Sequence, residues 1–273
     1  MSQREIPPRG PLDPRDSALP PRSRDEAEFG PAWAGTGSID ASALAMDSIE
    51  RQAQHVKARR LLAREGDSAP ALLIILEGWA RGYKTTSSGE RQITEFLLPG
   101  DAVAPLHPGN RHMDYSIDAV TPVRFAAIDQ LRLQRVTEAL PSFMAGVAQQ
   151  QAFRQALLRE WLLNIGRRSA RERIAYLMCE LFLRLRRSGF GESNACPFPL
   201  TQVDIADAVG LTPVHVNRTL QQLRRSGMIK QDKGRLTIPD FGALQRVAAL
   251  DPHGPLLRHC LSVVAPPGRR MFA

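Results

Sequence analysis

One short segment carries hydrogen-bonding side chains at a helical spacing. In "TPVHVNRTLQQLRRSG", residues 212–227, the apolar residues Val216, Leu220 and Leu223 fall within one narrow arc at about 100° per residue. The opposite arc consists of Val214, Arg218, Gln221 and Arg225, with His215 and Asn217 on its flanks. Arginine can fork onto a guanine edge, asparagine can pair with adenine, and valine can contact a thymine methyl. The segment therefore predicts a helix whose outer face reads base edges.

The preceding segment supplies the element that would position this helix. In "LTQVDIADAVG", residues 200–210, Thr201 is a predicted N-cap, and Ile205, Ala206 and Val209 face a core. Gly210 permits a tight turn, and a threonine cap followed by proline at 212–213 restarts a helix. Two short helices joined in this way predict a helix-turn-helix.

The segment after the second helix predicts a wing. "MIKQDKGRLTI", residues 228–238, reads as a hairpin with its turn at Lys233-Gly234, and it would direct Lys233 and Arg235 at phosphates. The residues predicted to contact DNA are Thr201, Gln202, Thr212, Val214, His215, Asn217, Arg218, Gln221, Gln222, Arg225, Lys233 and Arg235.

The charge of the chain favours the same partner. The 273 residues have a formal net charge of +8. Residues 167–250 hold 14 Lys+Arg against 7 Asp+Glu, a difference of +7 and nearly all of the excess. Such a basic region predicts a polyanionic partner, nucleic acid ahead of a membrane surface. A helical hairpin in any core can imitate a helix-turn-helix, but here it coincides with this basic region and with a wing.

Upstream, short apolar runs alternate with turn signals about every ten residues, as in "LEGW", "SSGE" and "LPGD". This spacing predicts strands near 72–76, 79–86, 91–97, 115–120 and 122–128 in a small antiparallel barrel or sandwich.

Between the two regions lies a long helical pattern, residues 142–167. Its apolar stripe consists of Met144, Val147, Leu158, Trp161 and Ile165, and Gln151 and Arg154 interrupt it. A matching helix from a second copy would cover such a stripe, which predicts a homodimer. The alternative is that the stripe packs on its own β domain, and both can hold over different parts of the helix.

The predicted fold class is α+β, with an antiparallel β-roll, a long dimerisation helix and a C-terminal winged helix-turn-helix. We expect a disordered, proline-rich tail over 1–37, a β-roll domain over 38–140 that opens with a helix from Ser38 to Arg60, and the dimerisation helix over 141–168. A capping box at Ser169–Glu172 opens the winged domain of 169–250, and 251–273 is expected to be a tail. The three separated cysteines form no CxxC pair, and no apolar run reaches membrane-spanning length, so a soluble cytoplasmic protein is expected.

Residues 60–250 resemble the Crp–Fnr superfamily of bacterial transcription regulators. The resemblance rests on "LEGWARGYK" and "LLPGD" in a cyclic-nucleotide-binding-like β-roll, and on "LTQVDIADAVGLTPVHVNRTLQQLRRSGMI" in the winged helix. The segment 159–186 is also similar to uncharacterised Crp–Fnr regulators of alphaproteobacteria. The resemblance implies a homodimer on a palindromic operator, a small-molecule or redox signal, and RNA polymerase as a partner.

Three departures from the family concern the effector pocket. Where cyclic-AMP-binding members have a glycine-glutamate pair, this chain has Ala104 and Pro105. The arginine-serine pair that holds the cyclic phosphate aligns with Met113 and Asp114, and a threonine-serine pair of the long helix aligns with 158–159. Cyclic AMP and cyclic GMP are therefore not expected to be effectors.

Two further departures concern the cofactor and the operator. The N-terminal segment carries no cysteine cluster for iron and sulfur, so no cofactor is expected. Val214 stands where the family's recognition helix usually has glutamate, whereas the family's arginine is retained as Arg218. The resemblance implies an operator that shares the family's guanine but differs beside it.

Two other functions start from the histidines of the β-roll. His107, His112 and Asp114 suggest a cupin-like metal enzyme, although their spacing lacks the HxH pattern with a downstream glutamate. A haem or metal sensor would use one of His55, His107 or His112. Neither a Ser-His-Asp nor a Walker-type pattern is present in the sequence, so a non-enzymatic regulator is the preferred interpretation.

Overall fold

The computed structural model describes residues 49, 51, 53–103 and 112–261. In the N-terminal part, the strands are β1 Ala53–Val56, β2 Leu61–Ala63, β3 Leu72–Glu77, β4 Ala80–Thr85, β5 Arg91–Leu97, β6 Ala102–Val103, β7 Ser116–Ala119 and β8 Val123–Ile128. They form two antiparallel sheets, a first sheet in the order β1-β8-β3-β6 and a second sheet in the order β2-β7-β4-β5. Leu73 and Ile75 of β3 pack with Ile117 of β7 between the sheets. We call this pair of sheets the β-roll.

The five predicted strands are confirmed, with ends within two residues of those expected. The predicted helix from Ser38 to Arg60 is wrong over its second half, because residues 53–56 form β1 and pair with β8. Ile49 is helical and fully buried, and residues 38–48 lie outside the described part. Apolar spacing near β1 fits a helix, but pairing along β8 satisfies the backbone of this segment instead.

The remaining elements follow in chain order. The helices are α1 Gln130–Ala139, α2 Ser142–Arg167, α3 Ala170–Arg187, α4 Gln202–Val209, α5 Pro213–Arg225, α6 Phe241–Val247 and α7 Pro255–Leu261. A small sheet has the order β10-β11-β9, formed by β9 Ala195–Pro197, β10 Lys230–Asp232 and β11 Arg235–Thr237. We call α3 to α6 with this sheet the C-terminal domain. The α+β class is confirmed, and within the described residues no helix is long and apolar enough to cross a membrane.

The predicted capping box opens α3 as expected. The backbone N–H of Ser169 donates to Glu172 Oε2 at 2.6 Å, and the N–H of Glu172 donates to Ser169 Oγ at 3.4 Å. The hydrogen bond from the Ser169 backbone lowers the pKa of Glu172. Behind this cap, α3 is buried along most of its length, which makes it the central helix of the C-terminal domain.

The two sheets of the β-roll present their outer faces to different partners. Leu72 and Ile74 on the first sheet pack against Leu133 of α1 and Phe143 of α2. The outer face of the second sheet belongs to the same apolar core as the C-terminal domain. There, Phe96 meets Trp161 edge to face, with ring centroids 6.0 Å apart. The β-roll and the C-terminal domain therefore share one core.

The shared core corrects the predicted dimerisation residues. Val147 and Trp161 are covered by their own chain, and Trp161 Nε1 donates to Glu180 Oε2 at 2.6 Å. Met144 and Ile165 are half-buried, whereas Leu158 is exposed. The alternative for the apolar stripe is thus correct for Val147 and Trp161, since the β-roll and α3 reach around the inner face of α2. Leu162 and Leu163, which are not among the predicted dimerisation residues, are exposed on the outer face.

The predicted C-terminal tail contains α7, so the assignment of 251–273 to a tail is wrong over 255–261. Leu256 and Leu257 are buried in the shared core. The imidazole of His259 stacks on Phe153 of α2, with ring centroids 3.6 Å apart. Residues 262–273 lie outside the described part. The seven-residue helix is too short to give a strong periodic signal, and its packing on α2 and α3 stabilises it.

We expect His259 to make the stability of the fold depend on pH. Burial, with Arg187 and Arg184 nearby, lowers its pKa from 6.5 to about 4. Between those pH values the unfolded chain binds a proton that the folded chain excludes, so stability falls as the pH drops. His259→Phe keeps a ring against Phe153 and removes the titration. Urea unfolding at pH 7.5 and pH 5 should show a smaller loss in this variant than in the wild type, and equal losses would contradict the assignment.

Candidate nucleic-acid interface

The first helix of the predicted helix-turn-helix has caps at both ends. Thr201 Oγ1 accepts from the N–H of Asp204 at 3.2 Å, and Asp204 Oδ2 accepts from the N–H of Thr201 at 2.9 Å. Gly210 ends α4 in the left-handed conformation, with φ of 64°. A residue with a side chain would be strained there, so glycine allows the sharp turn into α5.

The second helix, α5, presents the predicted polar face to solvent. Thr212 Oγ1 accepts from the N–H of His215 at 3.3 Å, and Pro213 occupies the first turn. The inner residues Val216, Leu220 and Leu223 are buried. The exposed outer residues are Val214, Arg218, Gln221, Gln222 and Arg225, and Val214 is 80% exposed. An apolar side chain so exposed on a polar face is suited to contact a thymine methyl.

Asn217 is held by a bond between the two helices. Its Nδ2 donates to Gln202 Oε1 at 3.1 Å, so the two predicted DNA-contacting residues contact each other. Asn217 and His215 are half-buried, in keeping with their places on the flanks of the outer arc. To pair with adenine, Asn217 would exchange this bond for one to the base.

The predicted wing is present as a hairpin of β10 and β11. Lys233 and Gly234 form the turn, with φ of 44° and 76°, as a two-residue hairpin of the primed type requires. Lys233 is exposed at the tip, and Arg235 is exposed and forms an ion pair with Glu192. Strand β9, which no sequence pattern predicted, pairs with β11 and anchors the wing to the domain.

The positions aligned with the family's phosphate clamp do not form an anion site in the described residues. Met113 is buried in the apolar core between the sheets. Asp114 is exposed, and its carbonyl oxygen accepts from Lys84 Nζ at 2.6 Å. Leu158 and Arg159 are exposed on α2. Ala104, Pro105 and His107 lie outside the described part.

Beside the clamp positions, a polar cluster joins α2 to the β-roll. Arg154 of α2 donates from Nε and Nη2 to the carboxylate of Glu95 at 2.9 and 2.5 Å, and from Nη2 to Tyr115 Oη at 3.0 Å. Its Nη1 donates to the carbonyl oxygen of Ala102 at 3.1 Å. Burial lowers the pKa of Arg154, but the Glu95 carboxylate outweighs burial and the pKa is raised. Strands β5 and β6 and the residue that precedes β7 are thus tied to the guanidinium of Arg154, whose side chain is 14% exposed.

Glu95 and Tyr115 lie close over Gly82 of β4. A Cβ atom at residue 82 would lie 2.6 Å from Tyr115 Cε2 and 3.0 Å from Glu95 Cγ. Glycine therefore makes room for the tyrosine ring and the carboxylate. In the sequence, Arg154 stands out only as an interruption of the apolar stripe, since its partner Glu95 is 59 residues away in the chain.

The histidines and cysteines form no cluster that suits a metal within the described residues. His112 Nδ1 bonds to the carbonyl oxygen of Gly66 at 2.9 Å, and His55 is exposed on β1. Cys179, Cys196 and Cys260 carry free thiols. Burial raises the pKa of Cys196 and of Cys260 to about 12, which keeps these thiols in their unreactive form.

Two family models match the chain. The Crp-like helix-turn-helix domain matches residues 172–247, and the cyclic nucleotide-binding domain matches residues 53–139. The nitrogen fixation regulation protein FixK of Bradyrhizobium diazoefficiens is 30% identical over 215 residues, which are 78% of this chain and 88% of FixK. The chain belongs to the Crp–Fnr family of transcription regulators. It is a DNA-binding regulator rather than an enzyme.

Other relatives agree with this membership. The transcriptional activatory protein AadR of Rhodopseudomonas palustris is 32% identical over 76% of this chain and 81% of AadR. The structure of FixK2 from Bradyrhizobium japonicum has a TM-score of 0.64 at 22% identity, covering 73% of this regulator and 98% of FixK2. The fold that this chain shares with FixK2 includes the β-roll, the C-terminal domain and helix α2 between them.

We expect Arg218 to read a base and Lys233 to contact phosphate. Arg218→Ala should cost about 1–3 kcal/mol of binding free energy on the selected site and relax the preference at one guanine in each half-site. Lys233→Ala should weaken binding to all sequences and lower the salt slope by about one. Selection from a random DNA pool, followed by fluorescence anisotropy at several salt concentrations, measures both effects.

A matched control is available on the same helix. Arg224 Nη2 donates to Gln231 Oε1 of the wing at 2.7 Å, so Arg224→Ala should leave the selected sequence unchanged. If Arg218→Ala weakens binding evenly and selects the same sequence as the wild type, its assignment to a guanine is wrong.

Proposed function

We propose that this regulator acts as a homodimer on a palindromic operator, reads the operator with α5, and does not use cyclic AMP or cyclic GMP as its effector. The observation that carries the proposal is the exposed outer face of α5, where Val214 and Arg218 lie free of the remainder of the domain. The family implies RNA polymerase as the partner at the promoter, and the proposal includes it.

The exposed face of α2 supports the dimer. Leu158 is 55% and Leu162 is 74% exposed in the protomer, and they lie four residues apart on one side of the helix. Gly166 is exposed one turn beyond Leu162 on the same stripe, and its small size would let a second helix approach closely. Full burial of a leucine contributes about 1.5–3 kcal/mol, so two leucines per protomer give a substantial interface.

Leu158→Glu with Leu162→Glu should produce monomers. Both side chains are exposed in the protomer, so the fold is retained while two carboxylates are placed opposite their copies. Light scattering should give the chain mass of 30.2 kDa for the variant and twice that for the wild type. The control is Leu131→Glu on α1, which is 60% exposed and lies outside this stripe. A double variant that keeps the dimer mass would place the interface elsewhere.

The interior of the β-roll supports the exclusion of cyclic nucleotides. A buried phosphate needs a cation and donors, and at the clamp position this chain offers the apolar Met113 with the Asp114 carboxylate beside it. The nearby guanidinium of Arg154, which is 14% exposed, is already paired with the Glu95 carboxylate, which is 21% exposed. A nucleotide would have to displace that carboxylate and leave it largely shielded from water without its partner, which is unfavourable.

Isothermal titration with millimolar cyclic AMP or cyclic GMP should release no measurable heat from the wild-type protein. A shift in melting temperature should be absent as well, because a ligand that binds only the folded state stabilises it. Glu95→Gln is the informative variant, since it leaves Arg154 with one fewer anionic partner. Micromolar binding of either nucleotide to the wild type would falsify this part of the proposal.

A further inference from the structure

A second group of buried charges lies between the β-roll and α4. Arg81 of β4 is 6% exposed, and its Nε and Nη2 donate to Asp118 Oδ1 and Oδ2 at 2.6 and 3.0 Å. Its Nη1 donates to Oδ1 of Asp204 on α4. One side chain of the β-roll thus bonds at once to β7 and to the first helix of the helix-turn-helix.

The next strand adds two more bonds to the same helix. Arg91 of β5 donates from Nε to Asp207 Oδ2 at 2.8 Å, and Gln92 Nε2 donates to the carbonyl oxygen of Ala208 at 3.1 Å. Residues 204, 207 and 208 lie on one face of α4, because positions three and four apart are neighbours on a helix. This face of α4 is therefore fixed to the second sheet along its length.

The bonds to Arg81 are costly to break. Asp118 and Asp204 are almost fully buried, and a buried charge that loses its partner is strongly disfavoured. Burial lowers the pKa of Arg81, but Asp118 and Asp204 outweigh burial and the pKa is raised. The forked geometry of arginine also fixes the angle between its partners, which a single point charge would not do.

The N-terminal end of α4 is exposed. Thr201, Gln202 and Val203 are exposed at its N-terminus, close to the exposed outer face of α5. Asp204 takes part both in the N-terminal cap of α4 and in the contact with the β-roll, since Oδ2 accepts from the N–H of Thr201 while Oδ1 accepts from Arg81. The contact with the β-roll consequently holds the helix-turn-helix in place without covering the residues predicted to contact DNA.

We infer that Arg81 and Arg91 are positioning residues for operator recognition, which fix the two recognition helices of the dimer at one separation and so restrict the half-site spacing that the dimer accepts. The inference rests on the proposed homodimer on a palindrome. Neither arginine contacts DNA in this assignment. Both act through α4.

The physical reason is the helical geometry of DNA. Recognition helices of a dimer enter the major groove about one helical turn apart, roughly 34 Å. One inserted base pair moves a half-site by about 3.4 Å along the axis and rotates it by roughly a tenth of a turn. A domain that is fixed to the β-roll cannot follow this movement, whereas a domain released from the second sheet can turn with the half-site.

The test compares full-length dimers on palindromes with the selected spacing, with one or two base pairs added or removed, and on a single half-site. The main variant is Arg81→Met with Asp118→Asn, which removes one positive and one negative charge and alters only the β-roll. Arg91→Met is the second variant, because Arg91 is partly exposed and its loss threatens the fold less. The control is Lys84→Met, which breaks an exposed ion pair with Glu65 within the β-roll.

The wild type and Lys84→Met should prefer the selected spacing over a one-base-pair change by about tenfold or more, comparable with the effect of a mismatched base pair. In the double variant this ratio should fall towards one, with little change in affinity for the single half-site. Arg91→Met should reduce the ratio in the same direction.

The outcomes are distinguishable. A wild type that is monomeric refutes the proposed dimer on a palindrome and removes the basis of the inference. A dimeric wild type that binds all spacings alike overturns the inference and leaves the proposed dimer standing. A folded double variant that keeps the wild-type ratio overturns the inference, as does one that loses affinity equally on all DNA. If the double variant does not fold, Arg91→Met decides, and an unchanged spacing preference in that variant overturns the inference.

Discussion

One buried arginine joins the β-roll to the DNA-binding domain. Arg184 of α3 donates from Nη2 to Asp101 Oδ2 at 2.6 Å and to the carbonyl oxygen of Phe96 at 2.9 Å, and from Nη1 to Glu180 at 2.9 Å. Asp101 lies in the "LPGD" turn, where its Oδ2 also accepts from the backbone N–H of Leu98. Because these charges lie within an apolar interface, only one register pairs them all. The position of α3 against the β-roll depends on that register.

Two other arginines make similar links at different places. Arg154 fastens α2 to the β-roll, and Arg81 fastens the helix-turn-helix to it. In each case side chains of the protein itself join the β-roll to a helix. In each link a guanidinium that is largely shielded from water bonds to acceptors on different elements. Arg184 and Arg81 each bond to two carboxylates, whereas Arg154 bonds to one carboxylate, a hydroxyl and a carbonyl oxygen.

Local features were predictable from the sequence and distant ones were not. The caps at Ser169, Thr201 and Gly210 and the outer face of α5 depend on residues a few positions apart, so spacing alone indicated them. Arg81 and Asp204 are 123 residues apart, and nothing in the sequence pairs them. The spacing indicated the apolar stripe of α2. It did not indicate which residues of the stripe pack on the same protomer and which remain exposed, because a stripe does not show which partner covers it. Trp161 therefore looked like a dimer contact, although it packs on Phe96 of the same protomer.

The shared core also limits how a signal can act on this regulator. If the DNA-binding domain rotated away from the second sheet, Trp79, Ile93 and Phe96 would lose their apolar cover, and Arg81 and Arg184 would lose carboxylates that are buried with them. Both changes are unfavourable, and an effector can shift such an equilibrium only by the difference between its affinities for the two states. An effector that binds weakly therefore cannot readily rotate this domain.

The exposed face of α2, where Leu158 and Leu162 meet no partner within the described chain, can be altered without breaking any of these bonds. The face assigned to the proposed dimer is therefore separate from the bonds that join the β-roll to the C-terminal domain.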